Sequence, residues 1–355
     1  MNGGKVLTAI GLMSGTSLDG VDVALIHTDG RLVVQAGPGL GIPYERKFRG
    51  ALRACLGKSA DQAGVADISH ELTRINGAAV NRLLHENGLK AVDIDVIGFH
   101  GQRQTVQIGD GQLLARQTGC RVVADFRAAD VAAGGQGAPF APLYHAALAA
   151  SLDKPLAVLN IGGVANVSYI GGPREDQLLA FDTGPGNALL DDWTVATIGR
   201  PMDEGGRLAQ GGTADEHVLK ALLANDYFAL TPPKSLDRNS FSTQSLSGLS
   251  AADGAATLAE LTIAAIVRGQ IYFRVPARRW LVCGGGRNNG FLMQHLAQAL
   301  AVPVDAVEAV GWNGDMLEAQ AFAYLAVRSL SGLPLSLPST TGVPEPMPGG
   351  VTFDP

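Results

Sequence analysis

The sequence predicts an α/β protein of two domains, and three observations support this fold class. The chain has 355 residues, of which 46% are hydrophobic and 17% are charged, and this length and composition suit two globular domains. A group of three short strands joined by glycine-rich turns occurs near the start of the chain and again from residue 156. Apolar residues at i, i+3 and i+4 spacing follow each group, so helices are expected to cover two sheets.

The first strand group begins with an apolar run at residues 5–12, which predicts a buried strand, and continues with a turn at residues 14–20. Residues 21–27 predict the second strand. Residues 29–30 read Asp-Gly, which is typical of a hairpin turn, and residues 31–35 predict the third strand. We expect these strands to pair as an antiparallel meander.

The second strand group repeats this order. An apolar run at Leu156–Ile161 is followed by a turn at Gly162-Gly163, and residues 166–170 and 177–181 predict the next two strands. The repeat is weak in sequence but extends over a whole meander. It therefore predicts that the second domain is built around a sheet like that of the first.

Helices are predicted between and after the two meanders. Six segments carry the helical spacing of apolar residues, namely 70–87, 142–151, 215–224, 255–273, 290–300 and 315–330. The Gly- and Ala-rich residues 125–142 are expected to cross between the domains, and the last helix is expected to return to the first domain. The predicted domains are therefore 1–130 plus 312–355, and 131–311. The Pro- and Ser-rich residues after position 330 predict a surface tail.

Composition favours a small-molecule partner. The formal net charge is −6 and the basic residues are scattered, so no basic surface for a nucleic acid is predicted. Cys55, Cys120 and Cys283 are far apart and lack the spacing of a disulfide framework or a zinc site, which fits a reducing, cytoplasmic setting. No apolar run approaches the roughly 20 residues that a membrane-spanning helix needs.

The first glycine turn, in GLMSGTSLDGVDVAL, is a candidate phosphate site. Successive backbone N–H groups and hydroxyls in such a turn can surround an anion. Because carboxylates beside a phosphate normally need a cation between them, Asp19 and Asp22 predict a bound Mg²⁺. An ordinary hairpin, with Gly and Asp serving the turn, is the alternative. The candidate residues are Gly15, Thr16, Ser17, Leu18, Asp19, Gly20, Val21 and Asp22.

Two further glycine clusters are candidates for nucleotide binding. The turn in NIGGVANV could face the first turn across a polyphosphate, and WLVCGGGRNNG leads from a buried strand into a helix start, which suits a nucleotide. Neither cluster completes a dinucleotide-binding fingerprint, and Gly57-Lys58-Ser59 does not complete a phosphate-binding Walker motif. The candidate residues are Gly162, Gly163, Gly284, Gly285, Gly286 and Asn288.

Asp182 is the candidate catalytic residue. It lies at the end of a predicted strand in FDTGPGN, where the Gly-Pro-Gly turn can hold the strand end open towards a ligand. A carboxylate within hydrogen-bond reach of an attacking oxygen can act as a general base. A turn-capping aspartate is the alternative interpretation.

Polar residues at two other strand ends predict a site for a polar ligand such as a sugar. His100 and Gln102 follow one strand in GFHGQ, and Asp125 and Arg127 follow another in VADFR. Each of these residues is also common in structural turns. Glu318 is first a helix-start residue, since it has capping-box spacing from Asp315, and second an active-site candidate.

These motifs occur together in the order that is typical of one family. GLMSGTSLDGVDVAL, GFHGQ, VADFR, GGQGAP, NIGGVANV, FDTGPGN, PPKS, VCGGG and EAQAFAYLA run from Gly11 to Ala326. The sequence thereby resembles the anhydro-N-acetylmuramic acid kinases of bacterial cell-wall recycling. The resemblance implies a hexokinase/actin-like fold with a deep interdomain cleft, a cytoplasmic homodimer, and ATP with Mg²⁺. It also implies hydrolysis of the 1,6-anhydro ring of the sugar and phosphorylation of O6.

By the same resemblance, Gly15 to Asp22 match the ATP-binding stretch and Asp182 matches the catalytic base. His100, Asp125, Arg127 and Gln136 fall in motifs that line the cleft. Two segments depart from the family pattern, HGQRQTVQIG, which is shorter than usual, and PPKSLDRNSF. They leave open a kinase for another anhydro- or amino-sugar. A non-catalytic nucleotide or sugar sensor of the same fold is a separate alternative, and Asp182 argues against it.

Overall fold

The fold is taken from a computed structural model that describes residues 4–15, 18–55, 62–103, 107–237 and 240–355, without the side chains of Gln102, Arg103 and Gln107. The chain divides into two compact units. The first unit comprises Met1–Ala150, Met316–Pro338 and Val343–Pro355, and the second comprises Ser151–Asp315 and Ser339–Gly342.

Each unit contains one principal mixed sheet. The first has strand order β13-β7-β4-β1-β2-β3 and the second β10-β9-β8-β11-β12, while β5 and β6 form a small separate hairpin. In both, an antiparallel meander continues into parallel strands. The strands are β1 (Leu7–Met13), β2 (Gly20–Thr28), β3 (Val34–Pro43), β4 (Val96–Phe99), β5 (Gln102–Arg103), β6 (Gln107–Ile108), β7 (Val122–Ala124), β8 (Leu156–Ile161), β9 (Val164–Ile170), β10 (Leu178–Pro185), β11 (Trp280–Cys283), β12 (Val304–Ala306) and β13 (Val351–Phe353).

Helices pack on both sheets. The last helix, α11, lies so close to the first sheet that a side chain at Gly11 would overlap the Ala319 carbonyl, and one at Gly98 the Phe322 carbonyl. The prediction that this helix returns to the first domain is confirmed. The helices are α1 (Arg46–Ala54), α2 (Val65–Glu86), α3 (Gly111–Thr118), α4 (Ala128–Ala132), α5 (Pro142–Leu148), α6 (Asn187–Ile198), α7 (Arg207–Gln210), α8 (Glu216–Leu222), α9 (Ala251–Gly269), α10 (Gly290–Leu300) and α11 (Leu317–Leu330).

Both predicted meanders are present, and one predicted strand is misplaced. The third strand of the first meander begins at Val34, whereas residues 31–35 were expected to form it. The Asp29 carboxylate accepts hydrogen bonds from the N–H groups of Arg31 and Val33, at 2.8 and 3.0 Å, and from that of Leu32 between them. These amides donate to a side chain within a turn, so they cannot form the backbone hydrogen bonds of a β-strand.

The expected crossing at residues 125–142 lies within the first unit, which continues to Ala150. Helix α5 is held there because the buried Tyr144 hydroxyl donates to the Gln320 side-chain oxygen on α11, at 2.8 Å. The predicted tail after residue 330 is also wrong. Leu335, Leu337 and Val343 are buried, and β13 adds an antiparallel edge strand to the first sheet.

The predicted capping box at the start of α11 is wrong as well. The helix begins at Leu317 after Met316, which makes no side-chain cap. Asp315 accepts a hydrogen bond from the Arg287 guanidinium at 2.7 Å, so its carboxylate is directed away from the helix amides. The apparent spacing from Asp315 to Glu318 therefore has no capping role.

Each unit has its own apolar core. In the first unit, Ile10, Leu12, Val23 and Ile97 belong to a cluster between the sheet and its helices, and in the second a cluster contains Trp280. The three cysteines are buried free thiols. Within the described ranges, every helix is too short or too polar to span a lipid bilayer.

Candidate active site

The first glycine turn connects β1 to β2 and is anchored by a tyrosine that sequence analysis missed. The Tyr44 hydroxyl donates to the Ser14 hydroxyl oxygen at 2.7 Å, and the Tyr44 amide donates to the Asp19 carbonyl at 2.9 Å. Both Ser14 and Tyr44 are buried. The end of the meander thus closes on the turn between its first two strands. The candidates Thr16 and Ser17 lie outside the described residues.

Several candidates in this turn shape it through their packing. Leu18 has a positive φ of 55°, and its side chain is buried in the core, as is that of Val21. A side chain at Gly20 would overlap the Ile42 carbonyl on β3. The Gly15 carbonyl accepts from the Leu18 amide at 3.1 Å. Leu18, Gly20 and Val21 can therefore reach a ligand through their backbone only.

Asp19 and Asp22 place negative charge beside the turn. Asp19 is exposed and Asp22 is half-buried. Burial raises the pKa of Tyr44 to about 12, and the two carboxylates add to this effect, which places both near its hydroxyl. One or two carboxylates together with phosphate oxygens are the usual protein ligands of Mg²⁺, so the pair fits this ion. Among the described residues, no cluster of three or more His, Cys, Asp or Glu side chains could hold a metal.

The two glycine clusters of the second unit come together at one sheet edge. Strands β8 and β11 are parallel neighbours with Cys283 opposite Asn160, so both clusters follow at the same end. Gly284 has a φ of 72°, and a side chain there would overlap the Asn160 side-chain oxygen. The Asn187 amide at the start of α6 donates to the Gly162 carbonyl at 2.8 Å. Close backbone packing explains why glycine is needed at Gly284.

The remaining glycines belong to the same packed edge. The Gly163 carbonyl accepts from the Gly186 amide at 3.1 Å, immediately before α6. A side chain at Gly286 would overlap Ile161, whereas Gly285 is exposed. Gly285 is therefore the member of this triplet with room for a ligand at its surface.

Arg287 was missed and holds the third cluster in place. Its guanidinium donates to the Gly284 carbonyl at 3.0 Å and forms ion pairs with Glu308 at 3.0 Å and Asp315 at 2.7 Å. The side chain is only 8% exposed. The predicted candidate Asn288 is exposed, and the helix that follows is capped instead by Asn289, whose side chain accepts from the Leu292 amide at 3.1 Å.

Asp182 lies on β10 beside an irregularity in the strand pairing. The register with β9 shifts between Asp182 and Gly184. The Leu236 amide donates to Asp182 Oδ2 at 2.7 Å, and the Asp182 amide donates to the Lys234 carbonyl at 3.0 Å. The Tyr227 hydroxyl donates to the Asp182 carbonyl. Backbone and carboxylate are thus both fixed, and the side chain is half-buried.

A buried cation and two tyrosines adjoin this aspartate. Lys234 is 7% exposed, and its ammonium lies over the Tyr227 ring at 4.5 Å and the Tyr272 ring at 5.7 Å. Burial lowers the pKa of Lys234, and Asp182 opposes that shift. Burial also raises the pKa of Tyr227, with the Asp182 charge as the next cause. Lys234 therefore places positive charge near Asp182, while the Tyr227 hydroxyl is hydrogen-bonded to the Asp182 main-chain carbonyl.

The two polar strand ends of the first unit converge, as predicted. Strands β4 and β7 are parallel neighbours, so His100 and Arg127 follow at the same edge. His100 Nε2 and Arg127 Nη2 are 2.9 Å apart. Asp125 is a non-glycine residue with a positive φ of 53°, and its carboxylate accepts from the Ala128 amide at 3.3 Å. A residue held in this conformation at a strand end often marks a functional site.

The other sugar-site candidates are placed less specifically. Gln102 lies on β5, two residues after His100, and the structure does not describe its side chain. Gln136 is exposed in the loop after α4, and Glu318 is exposed in the first turn of α11. Strand β1 is the parallel neighbour of β4, so the first glycine turn and His100 share one sheet edge.

Comparisons with known proteins agree with the motifs. The anhydro-N-acetylmuramic acid kinase family matches residues 7–355. Relatives of that name from Rhodospirillum rubrum and Paramagnetospirillum magneticum are each 52% identical, over 96% and 97% of this chain and 93% and 99% of theirs.

The structural comparison concerns the fold alone. Component A of (R)-2-hydroxyglutaryl-CoA dehydratase from Acidaminococcus fermentans has a TM-score of 0.52 at 12% identity, over 92% of this chain and 99% of that one. The predicted two-domain hexokinase/actin-like α/β fold is confirmed. With the family match over nearly the whole sequence, the chain belongs to the anhydro-N-acetylmuramic acid kinase family.

Proposed function

We propose that this chain is the ATP-dependent kinase that opens the 1,6-anhydro ring of anhydro-N-acetylmuramic acid and phosphorylates O6, giving N-acetylmuramic acid 6-phosphate in peptidoglycan recycling. Family membership supports the substrate and the reaction. The observation that carries the mechanism is the fixed carboxylate of Asp182, whose Oδ2 accepts from the Leu236 amide at 2.7 Å. The same resemblance implies a cytoplasmic homodimer, and both features are part of the proposal.

Asp182 is the proposed general base. The anhydro sugar has no free O6 hydroxyl, so a base that deprotonates an alcohol has nothing to act on. Asp182 instead takes a proton from water as the water oxygen bonds to C1 and the C1–O6 bond breaks. The electron pair of that bond stays on O6, which bonds to the γ-phosphorus of ATP while ADP leaves. The proton taken by Asp182 is finally released to solvent, which balances the reaction.

Charge around Asp182 suits this step. The Lys234 ammonium favours the ionised carboxylate, which is the form that accepts a proton. The Leu236 amide holds one carboxylate oxygen, so the direction of the group is set before the substrate binds. Removing water from such a site strengthens both effects.

The first glycine turn is the proposed phosphate site. Its backbone amides and the Ser14 hydroxyl would contact the phosphates, and Asp19 and Asp22 would hold Mg²⁺. When bound, Mg²⁺ supplies positive charge that offsets the charge of the transferred phosphoryl group. Gly162, Gly163, Gly284, Gly285, Gly286 and Asn288 are the proposed contacts to the rest of the nucleotide.

The sugar site is proposed at the strand ends of the first unit. His100, Gln102, Asp125, Arg127, Gln136 and Glu318 are the proposed residues there. Their support is the shared sheet edge of His100, Asp125 and Arg127. Segments that depart from the family pattern include residues 104–106 and 238–239, which lie outside the described residues.

Asp182→Asn tests the proposal, because it keeps the size of the side chain but removes the base. The variant should bind MgATP and the sugar in calorimetry and lose turnover by about 10²–10⁴-fold. Asp305→Asn is the matched control, since Asp305 is a half-buried carboxylate of the same sheet that pairs with Arg279 at 2.9 Å. Near-normal turnover of Asp182→Asn would move the base elsewhere.

Isotope labelling tests the course of the reaction. In H₂¹⁸O, the heavy oxygen should appear on C1 of the phosphorylated sugar, as measured by fragment mass spectrometry. Label in free phosphate would show ATP hydrolysis instead. A panel of other anhydro- and amino-sugars tests selectivity, and faster turnover of any of them would reassign the substrate.

A further inference from the structure

The buried His100 and the half-buried Arg127 form a polar pair beyond the sheet of the first unit. His100 is 3% exposed, and its ring lies 4.5 Å from that of Phe322 on α11. Its Nε2 is 2.9 Å from Arg127 Nη2, and its Nδ1 is 2.9 Å from the Gly101 carbonyl oxygen. Both ring nitrogens therefore have defined partners.

These partners allow one state of the imidazole. A guanidinium group only donates hydrogen bonds, so His100 Nε2 must accept from Arg127. The ring proton is then on Nδ1, which donates to the Gly101 carbonyl. A protonated ring would place an N–H of Nε2 against the N–H of the guanidinium. The geometry therefore requires neutral His100 with the proton on Nδ1.

A loop holds Arg127 on the other side. Arg127 Nη1 donates to the Gly137 carbonyl. The Gly137 amide in turn donates to Asp130 Oδ1 at 2.7 Å, and Asp130 is 2% exposed. The Phe140 ring lies 5.4 Å from the guanidinium carbon. The direction of the guanidinium is therefore fixed by a histidine on one side and a carboxylate-anchored loop on the other.

We propose that His100 is a positioning residue that orients Arg127 to bind the carboxylate of the sugar substrate. This inference rests on the proposed function, because muramic acid differs from glucosamine in carrying a lactyl group with a carboxylate. The planar fork of arginine matches a carboxylate in two parallel hydrogen bonds, and its specificity depends on orientation. His100 therefore acts on sugar selectivity through Arg127 and does not take part in the chemical step.

Two substitutions separate orientation from packing. His100→Leu removes the acceptor and should raise KM for anhydro-N-acetylmuramic acid about 10- to 100-fold, the range for a hydrogen bond to a charged group, with kcat nearly unchanged. His100→Gln keeps an acceptor and should return KM to within about threefold of the wild-type value. The methyl ester of the same sugar lacks the negative charge, so its KM should be nearly the same in all three proteins.

Three outcomes overturn the inference. One is an unchanged KM for the acid in His100→Leu, and the second is an equal rise for acid and ester, which would indicate a packing role. The third comes from ¹⁵N-histidine NMR of the full chain, in which the His100→Gln spectrum identifies the His100 signal. A His100 ring that is charged or carries its proton on Nε2 at pH 7.5 contradicts the required tautomer.

The control is His27→Gln, at the opposite end of the first sheet, where the ring contacts the Thr8 hydroxyl at 3.2 Å. This variant should leave KM for both sugars unchanged. If the wild-type protein phosphorylates neither sugar, the proposed function is contradicted. The NMR measurement then still shows whether the His100 ring is neutral with its proton on Nδ1.

Discussion

Tyr44→Phe tests whether the buried hydroxyl prepares the first glycine turn for ATP. The Tyr44 hydroxyl donates to Ser14 at 2.7 Å, so Ser14 Oγ is held in one position and its own proton must point elsewhere. Because burial raises the pKa of Tyr44 to about 12, the hydroxyl remains a donor throughout the range of an enzyme assay. The phenylalanine keeps the ring and removes the hydroxyl, with its hydrogen bonds to Ser14 and Asn76.

The magnitude follows from the burial of both groups. Removing one partner of a buried hydrogen bond costs about 1–3 kcal/mol, because the remaining group loses its partner. If Ser14 contacts a phosphate, about 1–2 kcal/mol of this cost appears in nucleotide binding, which corresponds to about a 5- to 30-fold rise in KM for ATP. KM for the sugar should change little.

Tyr324→Phe is the matched control for stability. The Tyr324 hydroxyl donates to the Arg31 carbonyl at 2.8 Å, near the opposite end of the first sheet. Both variants should lose similar stability in urea denaturation, whereas only Tyr44→Phe should weaken ATP binding in coupled ADP-release assays. An unchanged KM for ATP in a folded Tyr44→Phe protein would refute the role given to the Ser14 hydroxyl.

Two further predictions concern stability. Gly98→Ala should lower the free energy of unfolding by about 3 kcal/mol, because its methyl group would overlap the Phe322 carbonyl. Gly50→Ala, on the open face of α1, should raise the free energy of unfolding by about 0.5–1 kcal/mol. Urea denaturation of both variants measures this, and equal effects would contradict the packing argument. Burial lowers the pKa of His145 to about 4. In the unfolded chain the imidazole binds a proton near pH 6.5. The neutral, buried His145 therefore contributes fully to the free energy of unfolding above that pH, and this contribution falls by about 2 kcal/mol from pH 7.5 to pH 5. His145→Gln should remove that part of the pH dependence, and an unchanged dependence would contradict it.

Local sequence patterns predicted most strands and helices of the two units. Leu156–Ile161 and Gly290–Leu300 have the predicted bounds, because an apolar run and a helical period are each ended by residues that stop them. The convergence of His100 and Arg127 was also predictable, since both follow strands whose carboxyl ends meet at one edge. What these elements share is that the deciding residues are close in sequence.

The missed residues depend on partners that are distant in sequence. Tyr44 contacts Ser14, 30 positions away, and no local pattern distinguishes it from a core tyrosine. Arg287 holds the third glycine cluster through Glu308 and Asp315. The pairing of Arg287 with Asp315 also explains why the predicted capping box of Asp315 and Glu318 is wrong. Sequence spacing alone cannot show that the Asp315 carboxylate already binds an arginine from another element.

The two meanders show how one strand order supports different chemistry. In the first unit, Tyr44, just beyond the third strand, returns to the turn and holds Ser14 through a hydroxyl, and the turn keeps two carboxylates beside it. In the second unit, the third strand also returns to the turn, but backbone amides of Gly186 and Asn187 bind the turn carbonyls. Side chains that can bind a metal ion therefore accompany the first turn, while the second offers close backbone approach. This difference supports the proposal that Mg²⁺ and the transferred phosphate bind at the first turn. The proposed base, Asp182, lies instead on β10 of the second unit.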